Sequence, residues 1–218
     1  MYEFNYHKAG SVADAAVMLS KHPEAKALAG GQTLIAAMKL RLASPSDVVD
    51  LSGIKELSGI KVDGGGVTVG AMTTHAAVAA SKDVLKAIPA LARLAGSIGD
   101  RMVRNMGTLG GSVANNDPAA DYPAGVLGLG ATIHTSKRKI AADNFFTGMY
   151  ETALQAGEII TAVTFPVPKR AGYVKFKNPA SRYAIVGVFV AETAGGMRVA
   201  VTGAGPSVFR VTEMEKAL

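Results

Sequence analysis

The segment from Ile98 to Pro123 constrains this chain more than any other. It sets Gly107, Gly110 and Gly111 around Thr108 and Ser112, with Arg101 and Arg104 before them and Asn115, Asn116, Asp117 and Asp121 after. Glycine lets a backbone take positive φ and lets another molecule approach the main chain closely. Successive free N–H groups in such a turn form a concave anion site, and hydroxyls add further donors. One such turn reads equally well as a plain chain reversal. A second cluster far upstream shifts the balance. Leu28-Ala29-Gly30-Gly31-Gln32-Thr33 joins a short apolar run to an amphipathic stretch. A Gly-Gly turn with Thr33 at a helix start again offers N–H donors to an anion. Two such loops are suited to clamp the two phosphates of a dinucleotide. Neither follows the Gly-x-Gly-x-x-Gly pattern of a Rossmann strand–helix turn, so a doubly wound site is not expected.

The 218 residues suffice for one large domain or two small ones with a real core. With 49% hydrophobic and 18% charged residues the chain has a globular composition on the apolar side. No apolar run approaches the roughly 20 residues of a membrane helix. The N-terminus lacks the basic start and apolar core of a signal peptide, so a cytoplasmic location is expected. The absence of cysteine excludes disulfides, a thiolate nucleophile and cysteine-ligated iron–sulfur clusters on this chain. A net charge of +6 fits an anionic cofactor or nucleic acid. The basic residues are scattered, however, and the densest run, Lys137-Arg138-Lys139, has no interleaved aromatics and reads as a solvated hairpin.

Taken in order, alternating Tyr2, Phe4 and Tyr6 predict a short strand. Ser11 with Asp14 resembles a capping box opening a helix that ends before Pro23. Residues 25–29 form a brief strand, residues 33–42 a helix with Leu34, Ile35, Met38 and Leu42 on one face, and residues 47–51 a strand. Asp63-Gly64-Gly65-Gly66 between apolar runs is a hairpin signal. A helix from about Asp83 to Ile98 is open to splitting at Pro89. Residues 125–130 read as a buried small-residue segment packed close to other backbone, and residues 131–135 and 139–141 as strands around the basic turn. Strands follow at 159–165, 173–177, 185–192 and 197–203, the last three consecutive and antiparallel, and a helix begins near Val211. The early part mixes helix and strand and the later part is richer in antiparallel strands, which predicts an α+β chain of two lobes. The first boundary is placed near residue 55.

Much familiar chemistry is absent. The histidines at 7, 22, 75 and 134 have no metal-ligand spacing and read as structural or exposed. There is no Gly-x-Ser-x-Gly elbow and no Walker sequence. Asp117 and Asp121 read either as an acid–base pair or as helix caps. The chain looks built to hold a cofactor that carries the difficult chemistry.

At this point a family is recognisable. The two loops resemble those of the FAD-binding medium subunits of molybdenum hydroxylases, such as carbon monoxide dehydrogenase, and of the flavin domain of xanthine dehydrogenase. The family's Ala-Gly-Gly-x-Ser/Thr stands here as Ala29-Gly30-Gly31-Gln32-Thr33, and its Thr-Ile/Leu-Gly-Gly as Thr108-Leu109-Gly110-Gly111. Val103-Arg104-Asn105, Asp117-Pro118-Ala119-Ala120-Asp121 and Gly157-Glu158-Ile159-Ile160 also match, so the resemblance covers essentially the whole chain.

The resemblance implies a two-subdomain α+β FAD-binding fold of the vanillyl-alcohol oxidase (PCMH) type. Residues 1–55 and 56–175 would form the two FAD-binding subdomains. Residues 176–218 would start a C-terminal antiparallel-sheet domain, the rest of which is missing here. Leu28, Ala29, Gly30, Gly31, Gln32, Thr33 and Leu34 would wrap the FAD pyrophosphate through backbone N–H groups. Thr108, Gly110, Gly111 and Ser112 would form the other side; many relatives carry Asn at the position of Ser112, which implies a shorter or water-mediated contact. Asp121 would accept from a sugar hydroxyl, and Ile98 and Ile160 would pack near the ring systems. Lys177 falls at the pyrimidine edge of the flavin, where a cation favours a reduced, anionic ring. Tyr183 matches a tyrosine beside the flavin.

The expected function is electron transfer. FAD, bound non-covalently, would pass electrons from [2Fe-2S] clusters on a small partner subunit to an external acceptor. The molybdopterin cofactor would sit on a large partner subunit, the whole forming a dimer of heterotrimers. A stand-alone FAD-dependent reductase of the same superfamily is the alternative within enzymes. A basic nucleic-acid-binding protein is the alternative outside them, and the scattered charge opposes it.

Overall fold

A computed structural model describes residues 1–218. The chain opens with strand β1 (Asn5–Lys8), helix α1 (Val12–Lys21), strand β2 (Lys26–Leu28), helix α2 (Leu34–Lys39) and strand β3 (Asp47–Asp50). Ser11 caps α1, its hydroxyl accepting from the Asp14 amide at 3.1 Å, which satisfies one of the helix's orphan donors. The three strands form a parallel sheet in the order β1–β3–β2. Central β3 is buried along its whole length, as expected for a strand covered on both faces. The aromatic alternation at the N-terminus is not a core pattern. Tyr2 and Phe4 precede β1, and Tyr6 is 56% exposed with its hydroxyl on Asp50 at 2.5 Å.

Strands β4 (Ile60–Asp63) and β5 (Gly66–Gly70) form the predicted hairpin. Asp63 pairs with Gly66, and the Asp63 carboxylate accepts from the Gly65 amide at 3.0 Å. Helices α3 (His75–Ala80), α4 (Lys82–Ala87) and α5 (Pro89–Gly96) follow. Proline has no amide to donate and fits only a first helical turn, so Pro89 divides the stretch from Asp83 into α4 and α5.

The glycine-rich stretch is not a turn. It folds as helices α6 (Arg101–Met106), α7 (Leu109–Asn115) and α8 (Asp121–Gly128). Its glycines serve close packing between elements. A Cβ on Gly110 would lie 2.5 Å from the Ala71 Cβ, and one on Gly128 would lie 2.8 Å from Phe189. Every residue of α8 is buried, so the small-residue segment read at 125–130 is the end of this central helix.

Strands β6 (Thr132–Thr135), β7 (Lys139–Ala141), β8 (Phe146–Gly148), β9 (Glu151–Thr152) and β10 (Ile160–Pro166) come next. Strand β10 inserts between β5 and β6 to give the five-stranded antiparallel order β4–β5–β10–β6–β7, while β8 and β9 pair alone. In the basic hairpin, Arg138 is anchored rather than simply solvated. It holds Glu158, whose carboxyl is buried yet kept down to about 2 because Arg138, Thr135 and the Gln155 amide outweigh the desolvation.

Strands β11 (Arg170–Lys177), β12 (Ala184–Thr193), β13 (Gly196–Thr202) and β14 (Phe209–Arg210) form an antiparallel sheet in chain order, closed by helix α9 (Thr212–Ala217). Strand β11 begins at Arg170, so the expected boundary at residue 175 falls inside a continuous strand. Nor does this sheet have a core of its own. Phe189, Ala191, Ala200 and Val208 belong to the same 30-residue cluster as α5, α8 and the five-stranded sheet. The parallel sheet keeps a separate small core of seven residues, six of them from Ala9 to Leu57 and the seventh Ile159. Leu57 and Ile159, both beyond residue 55, belong to this smaller core.

Candidate functional site

The two glycine loops meet. Gly30 lies so close to the end of α6 that a Cβ there would overlap the Met106 carbonyl and sit 2.9 Å from the Gly107 Cα. A Cβ on Gly111 would be 3.6 Å from that of Ala29. Gly31 turns the chain at φ +71°, in the left-handed region glycine enters freely. The result is one continuous surface built from a β2–α2 loop and the start of α7.

The loops differ in what they present. None of the six amides from Ala29 to Leu34 donates to another group in the chain. In the second loop only the Thr108 amide is unpaired: Leu109 donates to the Thr73 carbonyl (3.0 Å), Gly110 to the Ala71 carbonyl (2.8 Å) and Gly111 to the Thr108 hydroxyl (3.1 Å). Thr108 is thus spent as the N-cap of α7 and is 4% exposed. The expectation of two amide cradles is corrected to one cradle, Ala29–Leu34, standing on a packed wall. Ser112, half-buried, keeps its hydroxyl free of any bond within the chain.

Beneath the wall, His75 packs against Gly107, and its amide donates to the Gly107 carbonyl at 2.9 Å. Burial, with the nearby Arg104 charge, pushes His75 down to about 4, so it is neutral at physiological pH. Its ring lies 5.3 Å from that of Tyr122, and neither His75 Nδ1 nor the Tyr122 hydroxyl has a partner.

On the other side of α6 a cavity of 710 Å³ opens between α5, the residues leading into α6, and β11. Six residues of helix span about 9 Å, so cradle and cavity are close neighbours. Arg104 reaches back from α6 to the Ile98 and Gly99 carbonyls at 3.0 and 3.1 Å. Lys175 donates to the Ser97 carbonyl and lies 2.9 Å from Asp121. Exposed Lys177 lines the same cavity, with Arg93, Phe176 and Arg182.

Asp121 is placed differently from expectation. It is 4% exposed, with one oxygen on the Tyr173 hydroxyl at 2.5 Å and the other on Lys175 at 3.1 Å. These contacts make it a buried counter-ion rather than an open acceptor for a sugar hydroxyl. Burial raises its carboxyl above the ordinary value against the pull of Lys175 and Tyr173. Asp117 accepts from the Ala119 amide at 2.9 Å and from the Tyr150 hydroxyl at 3.3 Å, and caps no helix, so each of the two carboxylates is engaged with partners of its own. Ile160 is 4% exposed within the main core; Ile98 is half-buried and packs against that core. Tyr183 is 45% exposed on the turn after β11.

Sequence reasoning missed Tyr173, Lys175, Arg93 and Arg182. Tyr173, Lys175 and Lys177 alternate along β11, a period-two pattern that could have flagged the first two. Nothing in the sequence foretells that Arg93 and Arg182 converge on them.

The family described as FAD binding domain in molybdopterin dehydrogenase matches residues 2–168. The carbon monoxide dehydrogenase medium chain of Afipia carboxidovorans is 39% identical over 93% of this chain and 73% of its own length. The glyceraldehyde dehydrogenase medium chain of Sulfolobus acidocaldarius is 35% identical over 98% of this chain and 80% of its own. Among solved structures, carbon monoxide dehydrogenase from Hydrogenophaga pseudoflava superposes with a TM-score of 0.94 at 35% identity, covering 100% of this chain and 80% of that one. Quinoline 2-oxidoreductase from Pseudomonas putida 86 gives 0.89 at 32% identity, covering 96% of this chain and 77% of that one. No helix is long and apolar enough to cross a membrane.

Proposed function

The chain belongs to the family of FAD-binding domains of molybdopterin dehydrogenases, and on that premise we propose that it seats FAD on the Ala29–Leu34 cradle as the electron-transfer subunit of a molybdenum hydroxylase. The observation that carries the reading is the run of six unpaired amides at the meeting of two loops. A diphosphate needs several donors converging on one place, and a glycine-bearing turn at a helix start supplies them without a cationic side chain. The fit is tight at Gly30, where backbone passes against backbone and leaves room for no side chain.

Each residue then has a part. Leu28 to Leu34 carry the diphosphate, with Gly31 setting the turn and the Gln32 and Thr33 side chains at its exposed rim. Thr108, Gly110 and Gly111 hold the wall in register, and Ser112 offers a hydroxyl. Ile98, Lys177 and Tyr183 stand on the ring side. Asp121 acts one layer back by fixing Lys175 and Tyr173, and Ile160 supports the sheet beneath. FAD, when bound, accepts and releases electrons singly or in pairs. Lys177 would favour negative charge on a reduced ring. Packing around Ile98 limits water there.

The rest of the reading follows from the relatives and from the absence of cysteine. The [2Fe-2S] clusters belong to a small partner subunit and the molybdopterin to a large one, assembled as a dimer of heterotrimers in the cytoplasm, with an external acceptor taking the electrons. Without a cysteine, and with His75 buried, FAD is held non-covalently. The test is the visible spectrum of the purified chain. Flavin bands at one FAD per chain, with all the flavin freed on acid denaturation, are expected. A colourless chain that takes up no added FAD would refute the proposal. Co-purification with a molybdenum subunit separates this role from that of a stand-alone reductase.

A further inference from the structure

Helix α6 stands between the cradle and the cavity, and its outer face carries two sulfurs. Met102 and Met106 are 78% and 57% exposed, and a spacing of four residues sets them one turn apart on the same side of the helix. No residue of α6 is buried, so neither methionine gains anything from a core. Met38 on α2, by contrast, is 1% exposed. Polar contacts tie α6 down: the Asp100 carboxylate accepts from the Val103 amide at 2.8 Å, and Arg104 reaches the Ile98 and Gly99 carbonyls. Six residues of helix are marginal by themselves, so α6 depends on such ties. Yet its end is the backbone that the cradle leans on. The Gly30 turn passes directly against the Met106 carbonyl and the Gly107 Cα.

A thioether is soft and readily oxidised, and an exposed one is open to attack. Oxidation turns a flexible apolar side chain into a polar, chiral one. Two such changes on one face alter the hydration of α6 and let it shift. Any shift of its end carries the wall away from the amide run.

We propose that Met102 and Met106 form a modification site, at which a peroxide oxidises the thioethers to sulfoxides and so weakens the hold of the cradle on FAD. The step balances. A sulfur lone pair attacks one peroxide oxygen, the O–O bond breaks and an S–O bond forms. The sulfur loses two electrons and the peroxide gains them. With a proton passed to the departing oxygen, the second product is water. The inference rests on the FAD reading above and adds a means of regulating that same site.

The experiment treats the FAD-free chain with hydrogen peroxide, reads oxygen addition at each methionine by peptide mass spectrometry, and then titrates FAD. Met102 and Met106 are expected to gain oxygen well before Met38, and the oxidised chain to bind FAD at least 10-fold more weakly. The two methionine sulfoxide reductases, one for each sulfoxide epimer, supplied with a dithiol as reductant, should restore the affinity. The Met102→Leu/Met106→Leu variant keeps the Met106 carbonyl, so it should bind FAD as the wild type does and lose nothing to peroxide. Met214→Leu, which removes a similarly exposed sulfur from α9, should stay sensitive. Unreacted Met102 and Met106 would overturn the proposal, as would full oxidation at unchanged FAD affinity. The reductase arm uses the wild-type chain and decides the matter whatever the variants do: affinity that stays low once both sulfoxides are reduced also refutes it. A wild type that takes up no FAD before treatment instead removes the underlying reading, and this inference with it.

Discussion

Gly30→Ala is expected to abolish FAD retention in a chain that still folds. The added Cβ would overlap the Met106 carbonyl and crowd the Gly107 Cα at 2.9 Å. Both obstacles are main chain, so no rotamer change relieves them. Either the β2–α2 loop lifts away from α6 or α6 shifts, and in both cases the amide run leaves the wall it stands on. A diphosphate that loses several of its donors forfeits about 3 kcal/mol or more, which is on the order of a 100-fold weaker Kd. Stability should fall less than binding, because the affected loop lies outside both core clusters. Gly172→Ala is the matched control, since a Cβ there meets nothing within 4 Å. FAD titration of the three proteins decides the matter. Wild-type affinity in Gly30→Ala would show that the contact between the loops is incidental to the site.

Asp121→Asn is expected to destabilise the fold by about 3–5 kcal/mol, the usual consequence of removing one partner of a buried ion pair. Lys175 is 6% exposed at its side chain, so it cannot swing into water to recover its hydration. The neutral amide can still accept a hydrogen bond, but the Lys175 charge is left with the Ser97 carbonyl and no counter-ion. The double variant Asp121→Asn/Lys175→Met removes the stranded charge and should regain much of the loss. Urea denaturation of the two variants measures this. A double variant no more stable than Asp121→Asn would mean that the pair is not the source of the cost.

Local signals carried most of the elements. Ser11 marked the start of α1, Pro89 marked the division between α4 and α5, and Asp63 with three glycines marked the β4–β5 hairpin. These rest on chemistry within four residues of the mark, which is why they could be read. The stretch from Arg101 to Gly128 could not. Glycine is a poor helix former, so Gly110, Gly111, Gly125 and Gly128 argued for turns. Helices form there because Ala71, Leu94 and Phe189 need glycine's missing side chain for close approach. That requirement belongs to tertiary packing and leaves no periodic trace.

The site was legible in its motifs more than in its roles. Both loops were located and they do touch, but nothing in Thr108-Leu109-Gly110-Gly111 says that three of its amides are already committed to Thr73, Ala71 and Thr108. Asp121 looked like an open acceptor because Tyr173 and Lys175 lie more than fifty residues away in the chain. Long-range pairing of this kind appears only once β11 is laid against α5 and α8.

Amide hydrogen exchange from Ala29 to Leu34, with and without FAD, tests the central claim most directly. These six amides have no partner in the chain and should exchange freely in the apoprotein, then become strongly protected when FAD binds. Leu109 and Gly110, already bonded, should change little. If FAD binds stoichiometrically while the six amides go on exchanging as before, the diphosphate does not lie on this cradle.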